Sequence, residues 1–215
     1  MSVLGAILLV GLAYLAGSVP SGVLVARLTG APDPRTIGSG RTGGTNALRA
    51  MGRRRAAVVV AGDLAKGAVP VLVARWLTGG DAPVEAACAV AAVVGSARSI
   101  FLGFHGGRGV GTGVGTMLVI QPIAVLLAAP VFVGVILVTR YVSLGSLLGS
   151  AAMVPAVVLV FLVVNGTVPF AYLAYAVAGA AVVWIAHADN IDRLLHGRER
   201  KFDLGMLSGR GGSTG

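Results

Sequence analysis

The chain has 215 residues, of which 56% are hydrophobic and only 12% charged, with a mean hydropathy of +0.89. That is more apolar surface than one soluble core of this size can hide, so a soluble globular domain is excluded and a bilayer protein is implied. Seventeen basic against eight acidic residues give a formal charge of +9, but the arginines fall between apolar runs without aromatic interleaving, which points away from nucleic acid and toward anionic lipid or a phosphate ligand.

The first apolar run covers about 3–28, and no charged residue precedes Arg27. It is too long, and lacks the basic leader, for a cleavable signal peptide, and reads as a retained span. The polar segment GSGRTGGTNALRA follows at 38–50. Gly38, Gly40, Gly43 and Gly44 allow backbone angles that turn successive amides toward one anion. Ser39, Thr42 and Thr45 add hydroxyl donors, and the forks of Arg41 and Arg49 match phosphate oxygens in pairs. The segment is not a nucleotide loop, because Gly44 stands where the lysine of G-x-x-x-x-G-K-[ST] belongs and no strand precedes it. A basic loop meeting lipid headgroups is the plainer alternative.

Spans follow at about 56–78 and 83–99. Asp63 and Lys66 lie inside the first, where each charge costs about 2.5–3.5 kcal/mol near mid-helix. Their spacing puts them on one helix face, as a neutralising pair or as the lining of a polar cavity. Cys88 stands alone, so neither a disulfide nor a thiolate metal site is available.

The stretch FLGFHGGRGVGTGVG at 101–115 sets Gly106, Gly107, Gly109 and Gly111 around Arg108, just before a short helix whose free amides would face an anion. The same glycines give Gly-x-x-x-Gly spacing at 107–111 and 111–115, which favours close helix approach, and the two readings are compatible. Two short helices, about 109–120 and 123–139, are split by Gln121-Pro122, and spans follow at about 142–164 and 168–187.

The last span ends WIAHADNIDRLLHGRERKF, with His187, Asn190 and Arg193 at spacings of three and Glu199 beyond them. His187 and Asp192 also spell H-x-x-x-x-D, but residues five apart on a continuous helix point about 140° away from each other, so that pairing is read as chance. His105, His187 and His196 make no metal-spacing motif.

Basic blocks at Arg27 to Arg55, Arg98 and Arg108, Arg140, and Arg193 to Arg210 are cytoplasmic by the positive-inside rule. Asp81–Glu85 and Asn165–Thr167 then face outward. The predicted architecture is all-α and polytopic, with seven crossings, the N-terminus outside and the C-terminus inside. A re-entrant hairpin at 109–139 would leave five crossings with the same orientation. One domain over 1–215 is expected, with 203–215 an unstructured tail from its glycine and serine content.

The pieces AGSVPSGVLVARL (16–28), GSGRTGGTNALRAMG (38–52), GDLAKGAVPV (62–71), FLGFHGGRGVGTG (101–113) and HADNIDRLLHGRERKF (187–202) occur in order, and together they resemble the bacterial acyl-phosphate:glycerol-3-phosphate acyltransferases, the PlsY family. The resemblance implies a seven-helix fold in the bacterial inner (plasma) membrane with a site open to the cytoplasm. Its motifs match at Gly38, Ser39, Gly40, Gly43, Thr45, Asn46 and Arg49, at Asp63 and Lys66, and at His187, Asn190, Arg193, Gly197 and Glu199, with Ser18 a supporting polar residue. The sequence departs from the family pattern at Arg41 and Gly44, usually Asn and Ala, at Ser96 and Ser99, usually His and Pro, and at Arg108, usually Lys.

The implied reaction moves a fatty acyl group from acyl phosphate to glycerol 3-phosphate, giving lysophosphatidic acid, an early step of phospholipid synthesis. The partners are those two phosphorylated reactants and membrane lipid, and no metal or nucleotide cofactor is called for; the oligomeric state is left open. The two glycine-rich loops with Arg41, Arg49 and Arg108 would hold phosphate. His187 and Asn190 would be catalytic, with the hydroxyl proton going to His187 or to a phosphate oxygen. Two other readings stay open: a catalytically silent relative that binds phospho-ligands or lipid, and a small organic-phosphate transporter built on the short helices near 109–139.

Overall fold

The computed structural model describes residues 1–208, and every regular element in them is helical. In chain order these are α1 (Val3–Ser18), α2 (Ser21–Thr29), α3 (Gly44–Thr78), α4 (Ala82–Ala97), α5 (Val110–Ile120), α6 (Pro122–Thr139), α7 (Val142–Asn165), α8 (Phe170–Ala186), α9 (Ala188–Leu195) and α10 (Gly205–Ser208). Local chemistry sets their ends. Ser2 Oγ accepts from the Gly5 amide at 3.2 Å to start α1, and Asp81 accepts from the Val84 amide at 3.2 Å to start α4, with Pro83 in its first turn. Gly30, Gly79 and Gly166 close α2, α3 and α7 in the left-handed conformation. Pro122 opens α6 directly after the end of α5, as Gln121-Pro122 foretold.

Among the described residues, α3, α6, α7 and α4 with the turn beyond it are each long and apolar enough to cross a membrane. The pairs α1–α2, bent by 46°, and α8–α9, bent by 62°, reach that length only together, and α5 is shorter. The first run was expected as one span over 3–28, and it is broken instead. Pro20 lacks an N–H and its ring obstructs the preceding turn, so the helix stops at Ser18 and restarts at Ser21. Large apolar side chains such as Leu126, Val138 and Phe170 are exposed on the outside of the bundle, where hydrocarbon removes the penalty water would impose.

Glycines let helix backbones meet. Gly17 of α1 abuts the Ala92 backbone of α4, Gly95 of α4 abuts Tyr14 and Ser18 of α1, and Gly67 and Gly115 do the same between α3 and α5. No Cβ fits at these places. At one end of the bundle Glu85 is wholly buried, bridged by Arg75 at 2.7 Å and by the Tyr172 hydroxyl at 3.0 Å, while Arg75 also donates to the Val119 carbonyl at 2.8 Å. One ion pair thereby joins α3, α4, α5 and α8.

The break inside α3 positions the site. Gly52 has φ 78° and ψ 174°, a region almost closed to other residues, and it divides the helix into limbs 44–51 and 53–78. The short limb doubles back, so that Gly44 lies against the Val60 side chain. Ala47 and Met51 on the short limb pack with Val25 and Ala26 of α2 and with Ala56 and Val59 of the long limb. Of the stretch 203–215 expected as a tail, Gly205–Ser208 forms α10 beside α3, and 209–215 lie outside the described residues.

Candidate active site

The polar segment at 38–50 is half loop and half helix. Gly38 and Gly40 do take positive φ, at 62° and 68°, but Gly43 is an extended cap and Gly44 already begins α3. The free amides expected of a pure loop are here those of a helix N-terminus. Asn46, in the first turn, holds the loop in place. Its Nδ2 donates to the carbonyls of Pro34, Ile37 and Arg41 at 2.6–3.0 Å, and its Oδ1 accepts from the Ser39 amide at 3.1 Å. Asn46 was expected to bind phosphate; the structure commits its whole amide to the loop. Gly38 is needed beside it, since a Cβ there would strike Asn46 Oδ1.

The second glycine loop meets the first. The Gly107 amide donates to the Ser96 carbonyl at 2.9 Å, and a Cβ on Gly106 would strike that same oxygen. Of Gly106, Gly107, Gly109 and Gly111, Gly109 alone takes positive φ, at 76°, where it caps α5. Gly111 faces Asp63 and Gly115 the Leu64 backbone, so this glycine run both shapes a loop and packs α5 on α3.

The third contributor is the break between α8 and α9. His187 fills it, 2% exposed, with Nδ1 2.8 Å from the Val183 carbonyl. That contact requires the proton on Nδ1 and leaves Nε2 as the ring nitrogen with a lone pair. Asn190 donates to Glu199 Oε1 at 2.7 Å, Ser143 of α7 donates to the same oxygen at 2.9 Å, and Arg193 Nε lies 2.8 Å from Oε2. Asp189 gathers three guanidiniums: Arg108 at 2.9 Å, Arg193 at 3.2 Å and Arg41 at 3.8 Å. Burial holds the Arg108 guanidinium below its usual range, an effect that Asp189 opposes. Asp192 instead pairs with His196 and Arg198.

These elements surround one cavity of about 200 Å³. Of the residues singled out from sequence, Ser39, Arg41, Gly43, Thr45, Asn46, Arg49, Asp63, Lys66, Gly107, Arg108, Gly109, His187, Asn190, Arg193 and Glu199 line it. Gly38, Gly40, Gly106 and Ser18 do not; the glycines shape the loops from behind, and the Ser18 carbonyl accepts from Ser99 Oγ at 2.6 Å. Sequence reasoning missed Asp189, Ser143, Ser146, Phe132 and Arg200. Six cations and two carboxylates, Asp63 and Glu199, line the wall, so the cavity is positive, and Arg49 makes no ion pair among the described residues. Arg108 Nε and Asn190 Oδ1 are buried without a protein hydrogen-bond partner.

An apolar cavity of about 270 Å³ continues from the polar one between α5, α6, α7 and α8. Val110, Phe132 and Ser146 belong to both. From that junction it passes Gly149, Ser150, Ala180 and Ala176 to Met117, Met153 and Tyr175, whose hydroxyl is bonded to Thr116.

Residues 7–197 match the family model described as glycerol-3-phosphate acyltransferase. Curated relatives of that name include the Geobacter sulfurreducens protein, 43% identical over 93% of this chain and 98% of its own length, and the Rubrobacter xylanophilus protein, 45% identical over 96% and 98%. The solved structure of PlsY (YgiH), an integral membrane glycerol 3-phosphate acyltransferase, in its glycerol 3-phosphate form superimposes with a TM-score of 0.84 at 36% identity, covering 95% of this chain and 98% of that one. Its lysophosphatidic acid form gives 0.81 at 35% identity, covering 95% and 99%. By sequence along nearly its whole length, and by fold, this chain belongs to the integral membrane glycerol-3-phosphate acyltransferase family.

Proposed function

We propose that the protein transfers a fatty acyl group from an acyl phosphate to a hydroxyl of glycerol 3-phosphate, forming lysophosphatidic acid for phospholipid synthesis. The observation that carries this reading is the junction of a cationic cavity with an apolar one through Val110, Phe132 and Ser146. An acyl phosphate has that shape: a charged head on a long tail. The apolar cavity runs along α8 from Val183 to Tyr175, about 12 Å at 1.5 Å per residue, and receives the proximal part of the tail.

Both reactants carry phosphate, each with nearly two negative charges near neutral pH. Arg41, Arg49 and Arg108 offset that charge, with the amides at the starts of α3 and α5 and the hydroxyls of Ser39 and Thr45 as further donors. Phosphate is already a good leaving group, so no covalent acyl-enzyme is required and proximity supplies much of the acceleration. The acceptor oxygen attacks the acyl carbon, the bond from that carbon to the phosphate oxygen breaks, and inorganic phosphate leaves. The hydroxyl proton passes to His187 Nε2 or to a phosphate oxygen.

The membrane arrangement belongs to the same reading. If each bent pair is one span and α5 also crosses, the bundle has seven crossings, with the N-terminus outside and the site open to the cytoplasm of a bacterial cell. Two features support this: the basic blocks lie at the site's end of the bundle, and the Phe202 amide donates to the Arg140 carbonyl at 2.7 Å, putting the C-terminal segment beside the α6–α7 turn.

The test supplies acyl phosphate and labelled glycerol 3-phosphate to purified protein in lipid vesicles. Labelled lysophosphatidic acid and an equal release of phosphate are expected, and Arg49→Ala should raise the KM for glycerol 3-phosphate. Label accumulating inside sealed vesicles without product would replace the transferase with a carrier.

A further inference from the structure

A site that gathers two phosphoryl groups has a difficulty built into its chemistry. The reaction consumes two phosphorylated molecules and yields two, so the negative charge in the cavity is undiminished after turnover. Cations that draw substrates in hold the products as firmly, and such uniform binding adds nothing to kcat once substrate is abundant.

Asp189 occupies the place where this is resolved. The other carboxylate of the cluster, Glu199, is saturated by Arg193, Asn190 and Ser143 and serves as a strut. Asp189 differs. Its Oδ2 accepts from Arg108 and Arg193, while its Oδ1 is buried, 3.8 Å from Arg41 and without a hydrogen bond. Its three partners come from the loop before α3, the loop before α5, and α9, and all three line the cavity. One carboxylate thus sits among three guanidiniums much as a phosphate oxygen pair would, immediately behind the surface that a phosphate would touch.

We infer that Asp189 is a resident competitor for the arginine cluster: it holds Arg41 and Arg108 in position and weakens their grip on phosphate enough for products to leave. The inference rests on the phosphate-binding reading of the same cavity. Asp189→Asn keeps the shape and one acceptor oxygen but removes the charge. It should tighten inorganic phosphate binding roughly tenfold, a modest share of one unit charge acting over a few ångströms in a protein site.

The test has two arms. Stabilisation of the purified protein by inorganic phosphate, read as the rise in thermal midpoint across a phosphate titration, needs no turnover. Asp189→Asn should reach half-saturation at about a tenth of the wild-type concentration, while Asp189→Glu, which keeps the charge, should follow wild type. In the assay, Asp189→Asn should show stronger inhibition by inorganic phosphate, a lower KM for glycerol 3-phosphate and a lower kcat. Unchanged or weaker phosphate binding in Asp189→Asn would overturn the inference, as would tightening in Asp189→Glu. Should Asp189→Asn not fold, Asp189→Ser carries the same comparison. A wild type that binds phosphate but forms no lysophosphatidic acid would sink the transferase reading and leave the binding prediction standing.

Discussion

Lys66 Nζ lies 3.1 Å from the Val19 carbonyl oxygen, at the point where α1 ends and the chain bends into α2. The same ammonium pairs with Asp63 at 2.8 Å, and both side chains are nearly buried. A helix broken by proline leaves carbonyls without partners, and inside a bilayer only protein can satisfy them. Lys66 therefore locks the α1–α2 bend to α3 and keeps Asp63 neutralised at the cavity wall. Lys66→Met should destabilise the protein by about 3 kcal/mol, because an unpaired buried carboxylate remains. Adding Asp63→Asn to it should recover much of that loss. Thermal midpoints in detergent for the two single variants and the double variant check both statements.

Asn46 satisfies three carbonyls and one amide of the first loop. Asn46→Ala should strand several of them and loosen the loop that carries Ser39 and Arg41, at about 1–3 kcal/mol for each group left unsatisfied. Asn46→Asp keeps the size but turns donors into acceptors facing carbonyls, and it should fare no better. Steady-state assays should show a raised KM for both phosphorylated substrates.

Arg108 is the cavity cation at which a lysine replacement separates charge from shape. Lysine keeps the charge, has no equivalent of the buried and unpartnered Nε, and reaches Asp189 as a point charge. Arg108→Lys should keep kcat/KM within about tenfold of wild type, whereas Arg108→Met should lose about a hundredfold or more, the scale of removing one stabilising donor from a catalytic site. Equal losses in the two variants would show that the planar fork itself is required.

Ser150 lines the apolar cavity between its junction and its far end. Ser150→Phe should fill that middle stretch, lowering kcat/KM for long acyl phosphates more than for short ones and leaving the KM for glycerol 3-phosphate unchanged. A chain-length series of acyl phosphates measures the shift. A uniform loss across the series would place the tail elsewhere.

Much of this was legible from residues alone, and the parts that were not have identifiable causes. Glycine, hydroxyl and arginine in the segment at 38–50 marked the first loop, and Gln121-Pro122 marked the break between α5 and α6, because those residue types have few other uses inside an apolar chain. Pro20 carried the same kind of signal within a run long enough to be taken as one span. The fold-back at Gly52 was hidden, since one glycine among arginines looks like a flexible position until the Gly44–Val60 contact is seen. Asp189 looked like any acid in the first turn of a helix. Its importance comes from Arg41 and Arg108, which are distant in sequence. Ser143 and Ser146 read as small residues of a membrane span, and only the placement of α7 turns them toward the cavity.

Val110, Phe132 and Ser146 are walls of two rooms at once. A substitution at any of them alters the grip on the greasy end of a molecule and on its ionic end in the same stroke. Lineages adapting their lipids to cold, heat or diet cannot retune one preference at this threshold without disturbing the other. Variation in tail choice should therefore gather farther along, toward Met117 and Met153, while the doorway itself stays fixed.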